Sequence, residues 1–516
     1  KVPPDQSLPL LVFYASQICY DHAEYGVYLS QALTTGGRAQ VSSYGYKSGW
    51  EFLSMNRHPQ WRRHYYDIGV NGAELIKEAE KINSKNFILI ARTIMLHSTL
   101  LTTDAFGDMP VKESYLLSYL PNSPFYSLTK SPAFDPQTDV YEWMLQEADE
   151  LISLYNDPNW VNNPDNKTIT KQMDRMFAGD LGKWGAFTKA LKARILIRKL
   201  PNWDNTPETC QQIIGAVDEA LGDPSYQDAI YKYDGGSAEK NCPWGPAQPK
   251  LNLGWAQARD NLLTEAIPSK FFAYALLGAY TSDYRYRYRG YALDPRAEKL
   301  MTPRQDDSNK KLIRFLENNI GMPTTMKITH FPDLYASEGN NPYTKNDGYI
   351  MLMSREELLF IKAEAQYWKG EKENAYNTTK EAVEVNMDRL GVPDDAKKQL
   401  FFDVRLPGSA SFTIADLMQQ KYVAMYLQPE QWTDVRRYNY SSETNGILYD
   451  KVPVYTVRGI LKDEARNENI ENYSVTFSLR RPYNLYEPYW CTADSYAGEG
   501  KNESQLSPNA WIMRLN

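Results

Sequence analysis

Apolar residues recur at helical spacing along most of the chain. Leu75, Ala79 and Ile82 fall on one face, and Ile88, Ala91 and Met95 continue on another, ending near Thr102. Val140, Met144, Ala148 and Leu151 repeat the period over 140–154. The stretch 181–200 is helical with a basic end (Lys192, Arg194, Arg198 and Lys199), which suits the negative pole of a helix. Pro201 stops it, and Pro207-Glu208 opens the next helix with a proline in the first turn and an acid beside it. A helix over 10–29 surrounds Cys19 and predicts a buried thiol there rather than a lipidation site.

Ser354 and Glu357 have the spacing of a capping box and open the clearest hairpin. Ala363, Gly370, Ala375 and Ala382 then recur at offsets of 7, 5 and 7. Small residues at that spacing let two antiparallel helices approach closely, as in a tetratricopeptide-type (TPR) hairpin. Four antiparallel pairs are expected: 71–102 with 140–154, 181–200 with 207–221, 354–369 with 372–389, and a last one including 412–437. The predicted class is all-α dominated, with four TPR-like helix pairs forming a superhelical scaffold.

The pattern breaks between 222 and 353, which carries ten of the 30 prolines and twelve of the 38 tyrosines and reads as helical only near 262–277. Loops of such length inside a folded chain are usually functional. No Gly-, Ser- or Pro-rich linker separates this region. The expectation is a single domain over 1–516, with a helical body at 8–221 and 354–440. A loop-rich region at about 222–353 would lie over one side of it, and 441–516 forms an irregular C-terminal segment.

Composition narrows the function classes. The 516 residues carry a net charge of −7, mildly acidic and unpatterned, which argues against nucleic acid as a partner. No apolar run is long enough for a membrane-spanning helix. Cys19, Cys210, Cys242 and Cys491 are too far apart for a zinc spacing and too few for a disulfide scaffold. Tyr (38) and Trp (12) together make about one residue in ten, which favours a surface that recognises something flat, amphipathic or sugar-like.

Candidate catalytic groups are weak. His58 and His64 with Asp67 have an offset that does not align two imidazoles on a helix face, so no metal is expected there. Glu356-Glu357, Asp306-Asp307 and Asp394-Asp395 could be imagined as glycosidase pairs, but each reads better as a helix cap or solvated surface. No nucleophile elbow, zinc-helix motif, phosphate loop or dinucleotide fingerprint occurs, and no cofactor is implied. The aromatic clusters carry more information. Tyr44, Tyr46 and Trp50 lie in a Gly/Ser-rich stretch between two helices, and Tyr280, Tyr284, Tyr286, Tyr288 and Tyr291 interleave with Arg285, Arg287 and Arg289. Alternation over 284–289 predicts a short strand with Tyr on one face and Arg on the other. Aromatic rings stack on pyranose faces, while Arg and Asn donate hydrogen bonds to vicinal hydroxyls.

Several stretches, in order, resemble the SusD/RagB-like nutrient-binding outer-membrane lipoproteins. They are Trp61-Arg62-Arg63-His64-Tyr65-Tyr66 with Asn71, Asp104-Ala105-Phe106-Gly107-Asp108-Met109-Pro110-Val111, and Phe134-Asp135 leading to Tyr141. Gly179-Asp180, Lys183-Trp184 and the basic helix 192–198 follow, then Pro268-Ser269, Asp294-Pro295-Arg296 and 354–370. Gln419-Gln420-Lys421-Tyr422 through Trp432-Thr433-Asp434-Val435-Arg436-Arg437 resembles the family's late helix. Arg480-Arg481-Pro482-Tyr483 with Glu487 resembles its C-terminal motif, departing where Asn484 replaces the usual proline and the downstream Asn is missing.

The resemblance implies a non-catalytic, surface-exposed outer-membrane protein, lipid-anchored through a cysteine upstream of Lys1. Such a protein binds an oligosaccharide and docks as a lid on a SusC-like TonB-dependent transporter. A peptide or glycopeptide ligand is the alternative within the family; an α-helical glycoside hydrolase or a TPR scaffold that binds only protein are alternatives outside it. Family ligand contacts come from the loop before the 61–71 helix and from the long segment before the TPR hairpin. The candidate ligand-binding residues are therefore Trp50 as the stacking platform, with Tyr44, Tyr46, Tyr284 and Tyr286 as walls and Asn56 and Arg287 as hydroxyl partners.

Overall fold

A computed structural model of the chain describes residues 2–35, 59–112, 114, 133–237, 240–246, 263, 266–277, 294–305, 311–312, 315–316, 326–335, 341–442 and 446–455. Helix dominates them, as the periodicity predicts, and the strands form only two-stranded ladders. Helix α1 (Pro4–Leu29) starts with proline in its first turn and buries Leu8, Leu11, Ala15, Ile18, Cys19 and Ala23. After strand β1 (Leu33–Thr35), a short helix (Pro59–Arg62) leads into a π-helix (Arg63–Val70) and then α2 (Asn71–Lys81). Helices α3 (Lys85–Phe106), α4 (Gln137–Tyr155), α5 (Leu181–Leu196) and α6 (Pro207–Leu221) follow, each packed on the one before it.

The expected single helix over 71–102 is two helices. Asn83 takes a left-handed conformation (φ 53°), which a short polar side chain tolerates, and the chain turns back so that α2 and α3 form a hairpin of their own. The start of α6 is as expected: Thr206 accepts a hydrogen bond from the Thr209 N–H, with Pro207 in the first turn.

Strand β2 (Ala229–Lys232) precedes β3 (Ala266–Pro268), helix α7 (Lys270–Leu277) and β4 (Tyr349–Met353). The predicted helix near 262–277 is thus a strand followed by two turns of helix. β1 pairs antiparallel with β3 (Thr35 opposite Ala266, Leu33 opposite Pro268), and β2 pairs antiparallel with β4. Helices α8 (Arg355–Trp368) and α9 (Lys372–Arg389) form the expected hairpin. Ala363, Ala375 and Ala382 are fully buried, and Gly370 turns the chain at φ 92°, which glycine adopts without strain. Helices α10 (Ala396–Arg405), α11 (Ile414–Ala424) and α12 (Pro429–Arg437) complete the body, with α11 against α8 and α12 against α1.

Only half of the expected capping box at α8 exists. Ser354 Oγ accepts the Glu357 N–H at 3.3 Å, but the Glu357 carboxylate turns inward to Arg194. The reciprocal box sits at α11, where Thr413 and Asp416 cap one another.

Candidate functional site

The motifs at 104–111, 192–198, 354–370 and 419–437 converge in the interior. Asp104 on α3 accepts from Arg198 (Nη2–Oδ2 2.8 Å), in the 3-10 turn after α5, and from the Tyr141 hydroxyl. Arg198 also grips Glu430 of α12 in a two-pronged pair at 2.6 and 2.8 Å. Arg194 holds Glu357 the same way at 2.6 and 2.7 Å and lies 3.6 Å from Glu430. Arg437 pairs with both Glu364 (2.8 Å) and Asp434 (2.6 Å), and Lys421 lies 2.9 Å from Asp434. Arg436 stacks its guanidinium 3.5 Å from the centre of the Trp432 ring and donates to the Asp104 carbonyl.

Five carboxylates (Asp104, Glu357, Glu364, Glu430, Asp434) thus face five cations (Arg194, Arg198, Lys421, Arg436, Arg437), all buried. Burial alone would raise the Glu430 pKa, but Arg198 and Arg194 hold it below the usual carboxylate range. Burial lowers Arg436 to about 10, which leaves it charged at neutral pH. Arg194 and Arg198 stand in the last turn of α5 and in the 3-10 turn after it, as the basic end predicts, and there they reach inward to buried carboxylates. One sequence expectation is corrected here: Glu356 and Glu357 are not solvated, since Glu356 is fully buried against Arg389 and Glu357 against Arg194. Asp395, by contrast, is exposed and caps α10 as expected, while Asp306 and Asp307 lie outside the described residues.

His22, His64 and His97 are buried and hydrogen-bonded within the body. His64 is buried and hydrogen-bonded to Ser98 (2.8 Å), and Asp67 pairs with Arg62 (3.1 Å) and Arg63 (3.4 Å). His22 lies 3.2 Å from the Leu101 carbonyl, and His97 contacts Cys19. Burial lowers all three imidazoles to about 3, so they are neutral near pH 7. No group of three His, Cys, Asp or Glu among the described residues is arranged to hold a metal ion, and His58 lies outside them.

Tyr44, Tyr46, Trp50, Asn56, Tyr284, Tyr286 and Arg287 all lie outside the described residues, as does the expected 284–289 strand. The points where their segments leave and rejoin the body are described, and they are firmly held. Segment 36–58 leaves from Thr35, in the ladder opposite Ala266. Just before it, the Leu29 and Ser30 carbonyls accept from the Tyr440 and Tyr422 hydroxyls at 3.0 and 2.9 Å. The segment rejoins at Pro59, beside Gln60, whose side chain donates to the Leu101 carbonyl at 2.8 Å.

Segment 278–293 leaves from the end of α7, where Arg405 donates to the Ala275 and Leu276 carbonyls at 2.8 and 3.0 Å. It rejoins at Asp294, whose N–H donates to the Leu276 carbonyl at 3.0 Å and whose buried carboxylate is clamped by Arg296. Strand and helix rises place Thr35 and Leu277 no more than about 30 Å apart.

One exposed feature escaped the sequence reading. In the π-helix Arg63, His64 and Asp67 face inward, while Tyr66 is 59% exposed and carries the Arg62 guanidinium 5.0 Å from its ring centre. In sequence, His64 and Asp67 are weighed as candidate metal ligands, and the outward side of the same turns is not considered.

A SusD-like family model described as "Starch-binding associating with outer membrane" matches residues 14–277 and 283–452. Among solved structures, a SusD/RagB family protein from Bacteroides thetaiotaomicron superposes with a TM-score of 0.67 at 17% identity, over 100% of both chains. A chitin-binding protein gives 0.65 at 16% identity, over 98% of this chain and 100% of its own. A SusD homolog from Bacteroides uniformis gives 0.63 at 16%, over 100% of both chains. At these identities the likeness concerns the fold. No curated protein sequence matches the chain significantly.

Proposed function

The chain belongs to the SusD-like family, and from that premise we propose that it is a non-catalytic glycan-binding protein of the outer-membrane surface. It would capture an oligosaccharide and pass it to a SusC-like TonB-dependent transporter, acting as the transporter's lid and held at the membrane by a lipid anchor. The observation that carries this reading is the family match over both halves of the chain, with starch binding and outer-membrane association in its description. The chitin-binding protein among the structural neighbours favours a glycan over a peptide.

The described body supports the division of labour. Its charged motifs are buried and mutually neutralised, so ligand contacts fall to the aromatic segments 36–58 and 278–293, whose ends it fixes. Trp50 is the proposed stacking platform, with Tyr44, Tyr46, Tyr284 and Tyr286 as walls and Asn56 and Arg287 as hydroxyl partners. The same reading takes the whole chain as one domain, in keeping with a buried apolar cluster that includes residues from Leu8 to Tyr455.

A glycan array run beside a peptide library tests the ligand class. Selective retention of α- or β-linked glucan or N-acetylglucosamine oligomers is expected. Retention of peptides alone would replace the glycan reading, and release of shortened sugars from the array would make the protein a hydrolase.

A further inference from the structure

Among the residues whose side chains are described, Tyr66 is the aromatic left exposed; the others are buried or half-buried. At 59% exposure the Tyr66 ring stands apart from the other described aromatics. It is also not a bare ring. Arg62, 64% exposed, lies over it at 5.0 Å, and its Nη1 is fixed by Asp67 at 3.1 Å. That one bond leaves the other guanidinium N–H groups turned to solvent beside the ring.

The π-helix makes this arrangement. Its inner face is occupied by Arg63 against Asp21, His64 against Ser98, and Ile68 in the core. The wider turn lets Asp67 reach both Arg63 inside and Arg62 outside, so the exposed pair is braced from below. Tyr14 of α1, under the Arg63 guanidinium at 5.5 Å, adds a half-buried second ring to the same surface. With one face of Tyr66 covered by the guanidinium, its exposure leaves the opposite face and the phenol edge to water.

A flat apolar face with fixed donors at its side matches a pyranose unit, which offers a C–H face and a rim of hydroxyls. We propose that Tyr66 and Arg62 form an accessory contact for one sugar unit of a long glycan chain, separate from the loop-borne residues. The inference rests on the glycan-binding reading above. The pair lies on the helical turns that follow segment 36–58 and takes a sugar unit beyond those held by the loop-borne residues, so that it contributes to long oligomers and not to short ones.

Calorimetric titration of wild type, Tyr66→Ala, Arg62→Ala and Trp50→Ala with maltotriose, maltoheptaose, chitotriose and chitohexaose tests it. For whichever series binds, Tyr66→Ala and Arg62→Ala should weaken the long oligomer three- to tenfold and leave the trimer within twofold, with unchanged melting. Trp50→Ala should weaken both lengths. Wild-type affinity of Tyr66→Ala for the long oligomer, with Trp50→Ala impaired, would overturn the accessory contact and leave the glycan reading standing. Failure of wild type to bind either series would remove both. Unchanged glycan affinity in Tyr66→Ala together with lost co-purification of an outer-membrane barrel would assign the pair to a protein contact and overturn the proposal.

Discussion

Arg198 and Glu430 lie 232 residues apart in the chain and meet in a two-pronged pair at 2.6 and 2.8 Å, both fully buried. Arg198 also carries Asp104, so one guanidinium joins α3, the end of α5 and α12. Removing it would strand two carboxylates in the interior.

Arg198→Met should therefore destabilise the fold by about 3–5 kcal/mol, the usual consequence of breaking a buried ion pair from one side. Adding Glu430→Gln should cost less than the sum of the single changes, because the second substitution relieves a charge the first left unpaired. Urea denaturation of the two single variants and the double variant measures both. Strict additivity would mean that the pair does not act as a unit.

The α8–α9 hairpin should resist bulk. Ala375 is fully buried where the two helices meet, and Ala375→Leu should overpack the contact by about 1–3 kcal/mol. A variant as stable as wild type in the same assay would count against this packing.

Acid should act through the buried imidazoles. His22, His64 and His97 fall to about 3 in the folded state because burial penalises the charged ring. In the unfolded chain they titrate near the ordinary value, about 6.5. Between those values the unfolded state binds more protons, so their contribution is whole above about pH 6.5 and is lost as pH falls toward 3. Each imidazole steepens that loss by up to about 1.4 kcal/mol per pH unit. His64→Asn, which can still hydrogen-bond Ser98, should flatten the stability profile between pH 4 and 6 by about that amount. An unchanged slope would show that His64 is not held neutral.

Trp50→Ala should weaken glycan binding tenfold or more while leaving the melting temperature unchanged, since a lost stack is worth about 1 kcal/mol beyond lost contact area. Calorimetry with the bound oligosaccharide decides it. Unchanged affinity would move the platform to another loop.

The helices were legible because their signals are local. Periodicity locates α4, α6, α8 and α9 closely, and the small-residue spacing marks the α8–α9 contact. The π-helix was not legible, since its contacts are tertiary: Arg63 pairs with Asp21 on α1 and His64 with Ser98 on α3. The buried acids were misread for the same reason. A paired acid at a helix start looks solvated in sequence, and only the tertiary approach of Arg194 to Glu357 and of Arg389 to Glu356 says otherwise. The family motifs at 104–111, 192–198, 354–370 and 419–437 form this interior, so they speak to the scaffold far better than to the ligand.

The anchorage at Leu276 and Asp294 has a consequence for engineering. Arg405 and Arg296 hold the two ends of the intervening stretch with bonds that do not involve its own side chains. The two ends are therefore sockets that stand independently of the sixteen positions, 278–293, that join them. With the ligand face as proposed, exchanging those positions for a foreign sequence of similar length should alter recognition while the melting temperature of the body stays the same.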